Sequence, residues 1–160
     1  SLDVDGKVFT QSMAIIEYLD EKHPNPPFLP ADAEGRARAR GLAQVIACDI
    51  HPLNNLAPLN YLKDKMGQDQ DAISTWYRHW VETGLGALEQ LIAASPRKGA
   101  FCMGEQPGLV DICLVPQLFN ARRYKSNLSH CPTLEKIEAA CNALPEFALA
   151  APDKQPDATA

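Results

Sequence analysis

The sequence predicts a mainly α-helical protein that opens on a short β-hairpin. Three observations carry that prediction. The stretch "SLDVDGKVFTQ" alternates around Asp5-Gly6, "PNPPFLPAD" is rich in proline, and from there to about residue 150 apolar residues recur at helical spacing. At 160 residues and 46% apolar composition the chain can bury one sizeable core, enough for one domain plus a piece of another.

Asp-Gly is a favoured two-residue hairpin turn, so the flanking residues pair as two short strands. From Ser12, the residues Met13, Ile15, Ile16 and Leu19 follow a helical spacing that ends at His23-Pro24. Residues 24–30 then form a stiff linker, because proline can neither donate a backbone bond nor continue a helix. Beyond it, residues from about Ala33 to Ile50 read as one helix, interrupted by Pro52 and Pro58 before Leu59 to Met66 resumes. A long helix spans about Gln70 to Ala94, with Ile73, Trp76, Trp80, Leu88, Leu91 and Ile92 as its core stripe. Gly84 and Gly86 lower its helix propensity, which close approach of a neighbouring backbone would offset. "SPRKGAFCMGEQPG" reads as a loop, and "LVDICLVPQLFNARRY" as a central helix whose first half is almost wholly apolar. Helices at about Thr133 to Ala143 and Pro145 to Ala150 follow, and residues 152–160 form a polar tail. No internal repeat is present.

Composition excludes several function classes. A net charge of −5 argues against nucleic acid as a partner, and the basic run Arg36, Arg38 and Arg40 spreads around a helix, with only Arg36 and Arg40 sharing a face. The five cysteines, at 48, 102, 113, 131 and 141, show no C-x-x-C pair or disulfide spacing. They read as reduced, mostly buried thiols of a cytoplasmic protein. The four histidines lie too far apart for a metal site. No apolar run approaches the roughly 18 to 20 residues that cross a bilayer, and no signal-peptide pattern opens the chain. A soluble protein without membrane contact is expected.

Four polar positions stand out, each with two open readings. Gln11-Ser12 lies where strand turns into helix. Ser12 is either an N-cap or part of a ligand site, since a helix N-terminus offers unpaired N–H groups and a positive dipole end to a carboxylate. In "DIHPLNNL", His51 either ends a helix before Pro52 or faces a ligand, and Asn55 either caps the resumed helix or does the same. Arg123 in "NARRYK" is either a surface residue at a helix C-terminus, favoured there by the dipole, or an anion ligand.

A hairpin, "QS" at a helix start, a proline linker and an all-helical domain containing "GLVDICLVPQ" together resemble the glutathione transferase superfamily. "TQSMAIIEYLDEKHPNPPFLPAD", "DIHPLNNL", "LVPQLFNARRYKSNL" and the tail "APDKQPD" narrow the resemblance to its zeta class, the maleylacetoacetate and maleylpyruvate isomerases. The resemblance runs over nearly the whole chain. It implies that residues 1–23 end a thioredoxin-like glutathione-binding domain, with 24–30 the linker and 31–151 the all-α domain that supplies the substrate pocket. It also implies that two strands, two helices and the thiol-activating Ser/Cys loop lie outside these residues, so that no catalytic residue is expected here.

By the same resemblance, Gln11 and Ser12 hold the γ-glutamyl end of the cofactor glutathione. His51 and Asn55, with the backbone around Leu56 and Ala57, add further glutathione contacts, and Arg123 faces a small dicarboxylate substrate. The chemistry implied is cis-trans isomerisation, in which a thiolate adds to a maleyl double bond, the new single bond rotates and the thiolate leaves. A homodimer is implied. Two positions depart from the family pattern. Gly108 stands where the central helix is usually capped by Ser or Thr three residues before Asp111, and Pro58 stands where a helix-continuing residue is usual. "NNLA" in place of an arginine-rich "NNRR" favours maleylacetoacetate over maleylpyruvate. A glutathione transferase acting on small halogenated acids and a non-catalytic helical interaction module remain as alternatives. Retention of Gln11, Ser12 and Arg123 speaks against the last.

Overall fold

The computed structural model describes residues 1–96, 98–156 and 158. Arg97, within the expected loop, and residues 157, 159 and 160, within the expected tail, lie outside the described residues. Strands β1 (Leu2–Val4) and β2 (Lys7–Phe9) pair antiparallel, with Leu2 opposite Phe9 and Val4 opposite Lys7. Both turn residues take positive φ, 52° at Asp5 and 79° at Gly6, as the favoured two-residue hairpin turn requires. The Asp3 carboxylate accepts from the Gly6 N–H at 2.9 Å and fixes the turn.

Helix α1 (Ser12–Lys22) leads into the linker, and α2 (Ala33–Gln44) starts where the Asp32 carboxylate accepts from the Gly35 N–H at 2.7 Å. The expected interruption at Pro52 does not occur. Helix α2 runs on through a π-helical turn, Val45–Ile50, into α3 (His51–Asn54). The His51 N–H donates to the Ile46 carbonyl, five residues back. Proline lacks an N–H and its ring crowds the preceding turn, and the wider π turn delivers the chain into Pro52 without a break. The break falls at Asn55, which is extended with ψ 160°. Helix α4 (Leu56–Asp64) begins three residues earlier than the sequence suggests. Pro58 is in its first turn, where backbone N–H groups have no intrahelical acceptor and the missing donor costs nothing.

Helix α5 (Gln70–Ala93) is capped by Asp69, whose carboxylate accepts from the Ala72 N–H at 2.8 Å. It buries Ile73, Tyr77, Val81, Leu85, Leu88 and Ile92. The expected stripe is therefore corrected at three positions. Leu91 is 48% exposed. Trp76 and Trp80 are half-buried and meet edge to face with ring centroids 5.7 Å apart. The indole of Trp76 also donates to the Leu53 carbonyl at 2.8 Å, a polar tie that holds it at the rim of the core. The two glycines also need a different account, because side chains rather than backbone approach them. The Ile50 side chain fills the space where a Cβ on Gly84 would lie, and the His130 ring comes within 3.2 Å of a Cβ on Gly86.

Helix α6 (Leu109–Arg123) packs against α2, α5 and α7 (Pro132–Asn142), and α8 (Pro145–Ala150) packs on α7. Leu109, Val110, Leu114 and Leu118 of α6 are buried, whereas Ile112 and Val115 are half-buried. Part of the expected tail forms a 3₁₀ turn, Pro152–Lys154. No helix of the described residues is long and apolar enough to cross a membrane.

One linker residue, Phe28, ties these elements together. The Phe28 N–H donates to the Asp20 carboxylate of α1 at 2.6 Å, and the Phe28 carbonyl accepts from the Leu109 N–H of α6 at 2.9 Å. Helices α2 and α6 thus both start at the linker and run side by side. The α3–α4 junction lies beyond the far end of α2, and Arg123 is the last residue of α6.

Candidate functional site

The start of α1 is the first group of sequence-predicted site residues. Ser12 is not its N-cap. Gln11 occupies the cap position, Ser12 is the first helical residue, and no side chain closes this end with a hydrogen bond. Gln11 is held at φ 69° and ψ 116°, a conformation L side chains rarely adopt, and backbone strain of this kind concentrates at ligand sites. Both residues are exposed. The helical ladder starts with the Ile15 N–H donating to the Gln11 carbonyl at 3.0 Å. The N–H groups of the first turn therefore stand outside it, directed at whatever lies before the helix.

Contacts further along α1 hold this open end in place. Glu17 receives two hydrogen bonds from the Arg40 guanidinium at 2.9 and 2.8 Å. The Arg40 hydrogen bond holds the Glu17 carboxyl below the usual range, burial opposing. The Cys113 thiol lies 3.7 Å from the Met13 sulfur, placing the start of α1 beside the second turn of α6. Burial, assisted by Asp111, raises the Cys113 thiol to about 11. Burial likewise raises Cys131 to about 11 and Cys141 to about 12. None of these three is a thiolate at neutral pH.

The second group gathers at the α3–α4 junction. His51, Asn55, Leu56 and Ala57 are all exposed there. Asn55 occupies the N-cap position of α4 without a side-chain cap bond, so its amide is not used up in capping. His51 does not end a helix, since the chain is helical on both sides of it. The Pro52 turn that the sequence marks as a break is what sets the register of these side chains, with the buried Ile50 seated against Gly84.

Arg123 lies at the far end of α6, ten residues beyond Cys113 and so about 15 Å further along the axis. Its neighbour Arg122 is spent on α7, donating to Glu138 at 2.6 Å and lying 3.6 Å from Glu135. Arg123 forms no ion pair with the described residues. It lines a concavity of about 430 Å³ with Gln70, Asp71, Ser74, Arg78 and Lys125. The rings of Tyr77 and Tyr124 stack behind it, centroids 3.6 Å apart. Burial raises the Tyr77 phenol to about 12, Tyr124 adding to the shift and Arg123 opposing it.

None of the residues assigned to glutathione lines that concavity. The structure thus gives two stations, an open helix end and a cationic hollow, about 15 Å apart along α6. Sequence reading missed Arg78 and Lys125, which look like ordinary solvated cations until α5 and α6 are packed. Among the described residues, no group of three or more His, Cys, Asp or Glu side chains is placed to hold a metal ion.

Residues 72–146 match the family described as the C-terminal domain of glutathione S-transferase. A probable maleylacetoacetate isomerase of Vibrio cholerae is 46% identical over 156 residues, which cover 97% of this chain and 72% of that protein. Among solved structures, a maleylpyruvate isomerase described as a bacterial zeta-class glutathione S-transferase in its holo form superposes with a TM-score of 0.96 at 45% identity. The superposition covers 99% of this chain and 74% of that one. A maleylacetoacetate isomerase from Anaeromyxobacter dehalogenans with glutathione bound in its active site superposes with a TM-score of 0.89 at 42% identity, covering 98% and 71%.

Proposed function

Since this chain belongs to the zeta-class glutathione transferases, the family of the maleylacetoacetate and maleylpyruvate isomerases, we propose that it isomerises maleylacetoacetate to fumarylacetoacetate with glutathione as cofactor. The observation that carries this reading is the start of α1, where Gln11 is strained, the first-turn N–H groups are free of the ladder and no side chain closes the end. A γ-glutamyl head, with a carboxylate and an ammonium on one carbon, matches that donor set and the Gln11 amide oxygen.

When bound, glutathione supplies the thiolate that adds reversibly to the maleyl double bond. The residues of this chain bind and orient. Gln11 and Ser12 hold the γ-glutamyl end, and His51 and Asn55 with the Leu56–Ala57 backbone hold the rest of the tripeptide from the α3–α4 junction. Arg123 grips a carboxylate of the substrate with a planar fork of donors, fixing one end while the middle of the molecule turns. Residues 1–23 act as the end of the glutathione-binding domain, and residues 31–151 as the domain that shapes the substrate pocket. The unpaired cysteines suit a reducing, cytoplasmic setting. Exposed apolar side chains, Tyr61 on α4 and Met66 just after it, offer surface for a homodimer.

The test is an assay of glutathione-dependent isomerisation on a protein that joins these residues to the segment of a relative they do not match. Fumarylacetoacetate formation above the glutathione background supports the reading, and its absence defeats it. Maleylpyruvate is the second substrate to assay, because the 45%-identical structure is named for it. The substrate with the higher kcat/KM decides between the two.

A further inference from the structure

We propose that the concavity between the start of α5 and the end of α6 is a carboxylate subsite in which Arg78 works as a second arm beside Arg123. This rests on the isomerase reading and extends it to the far end of the substrate.

The charge balance comes first. Arg78, Arg123 and Lys125 line the hollow against a single carboxylate, Asp71. No ion pair among the described residues involves any of the three cations or Asp71. The contrast with Arg122 shows that this is not a general surplus of charge at the helix end, since Arg122 is neutralised by α7 while Arg123, about 100° further round the helix, is not.

Direction comes second. Side chains on a helix tilt toward its N-terminus, so Arg78 reaches back over Ser74, one turn earlier, toward Gln70, and the three line the same hollow. Rigidity comes third. The stacked Tyr77 and Tyr124 rings, nearly parallel at 8°, tie α5 to α6 at the residues next to both arginines. A hollow of about 430 Å³ lies within the range of small-molecule sites and is ample for a short dicarboxylic acid. Its carboxylate would sit between the two guanidinium groups and away from Asp71, with Ser74 and Gln70 as neutral donors.

The experiment titrates this chain with malonate at low salt, following binding by NMR and calorimetry. Arg78→Gln and Arg123→Gln should each weaken malonate about tenfold or more, the usual effect of removing a charged hydrogen bond, with Lys63→Gln on α4 as a control cation that leaves it unchanged. Arg78→Lys keeps the charge but loses the fork, and an intermediate loss supports the proposal. Circular dichroism establishes that each variant is folded. In the isomerase assay, Arg78→Gln should raise KM for the dicarboxylate and leave KM for glutathione unchanged. Malonate affinity unaltered in Arg78→Gln overturns the proposal while the isomerase reading stands. Absence of any glutathione-dependent turnover defeats the reading itself.

Discussion

At the start of α6, the Asp111 carboxylate is fully buried and accepts from the Gly108 and Cys102 N–H groups at 2.9 Å each. The Phe28 carbonyl of the linker accepts from the Leu109 N–H as well. At the start of α1, Gln11 and Ser12 are exposed and no side chain caps the helix. Both ends begin with the same resource, a turn of unpaired donors and a positive dipole end. One consumes it internally and the other leaves it open. The comparison separates a helix start that holds the fold from one that is available to a ligand, and the difference lies in what surrounds each end rather than in helix propensity.

The largest effect should come from emptying the closed end. Asp111→Ala strands two buried N–H donors, and each buried donor left without a partner costs about 1 to 3 kcal/mol. We expect a loss of about 3 kcal/mol or more in urea unfolding, and a failure of the chain to accumulate folded would agree with it. Asp111→Asn keeps one acceptor oxygen and should lose roughly half as much. A loss below about 1 kcal/mol in Asp111→Ala would mean that the carboxylate is not the cap that the geometry suggests.

Next in size is Gly108→Ser, and its sign is the informative part. Serine caps better than glycine by a few tenths of a kcal/mol in open hosts, so a rule based on sequence predicts a small gain. Here a Cβ on Gly108 would lie 2.6 Å from the Phe28 carbonyl oxygen, which already serves the first donor of α6. That oxygen belongs to a residue whose own N–H is held by Asp20, so it cannot give way cheaply. Overpacking of this kind costs about 1 to 3 kcal/mol, and we expect a lowered melting temperature. A rise would show that the linker moves aside.

These two positions also mark how far the sequence could be read. The hairpin, the linker and the helix order were legible because each rests on local chemistry, such as Asp-Gly at a turn or proline in a linker. The reason for Gly108 was not, because it depends on Phe28, which lies 80 positions away. The backbone near Pro52 was legible as a disturbance but not as a π turn, since the compensation lies in the backbone width and in Gly84 making room for Ile50. Within the proposed site, Gln11, Ser12 and Arg123 are assigned by resemblance to a family, whereas Arg78 lines the same hollow as Arg123 only once α5 and α6 are packed. The Gln11 strain has no sequence signal at all, because glutamine is not a residue chosen for positive φ.

At the open end, smaller effects on stability should accompany clear effects on binding. Ser12→Ala removes no cap bond, so its melting temperature should stay within the equivalent of about 0.5 kcal/mol of the parent. Glutathione affinity, measured in the protein completed with a relative's front segment, should fall. Gln11→Gly relieves a strained backbone worth about 1 to 3 kcal/mol but adds about 0.5 to 1 kcal/mol of chain entropy. A net gain near 1 kcal/mol is expected, together with weaker glutathione binding. Stability and affinity moving in opposite directions would identify the strain as serving the ligand. Both falling together would return Gln11 and Ser12 to a structural role.

The smallest effect concerns how the open end is held. Glu17 and Arg40 join α1 to α2, and the Arg40 hydrogen bond lowers the Glu17 carboxyl below its ordinary value. A depressed carboxyl contributes stability that is fully present above its unfolded value and is lost as pH falls through its folded value. The contribution is therefore intact at neutral pH and fades only on the acid side, below the ordinary carboxylate range near 4.5. Both side chains are about a third exposed, at 30% and 35%, so solvent screens the pair and the effect on global stability is slight. Its local effect is on the aim of the first turn of α1, one helical turn away from Glu17. We expect Glu17→Gln to leave the neutral melting temperature nearly unchanged while flattening the acid limb of the stability profile. A parent and variant with superimposable profiles from neutral pH down to acid unfolding would show that the Glu17–Arg40 pair does not hold α1, and that Met13, Asp20 and the Phe28 peptide suffice to fix the open end.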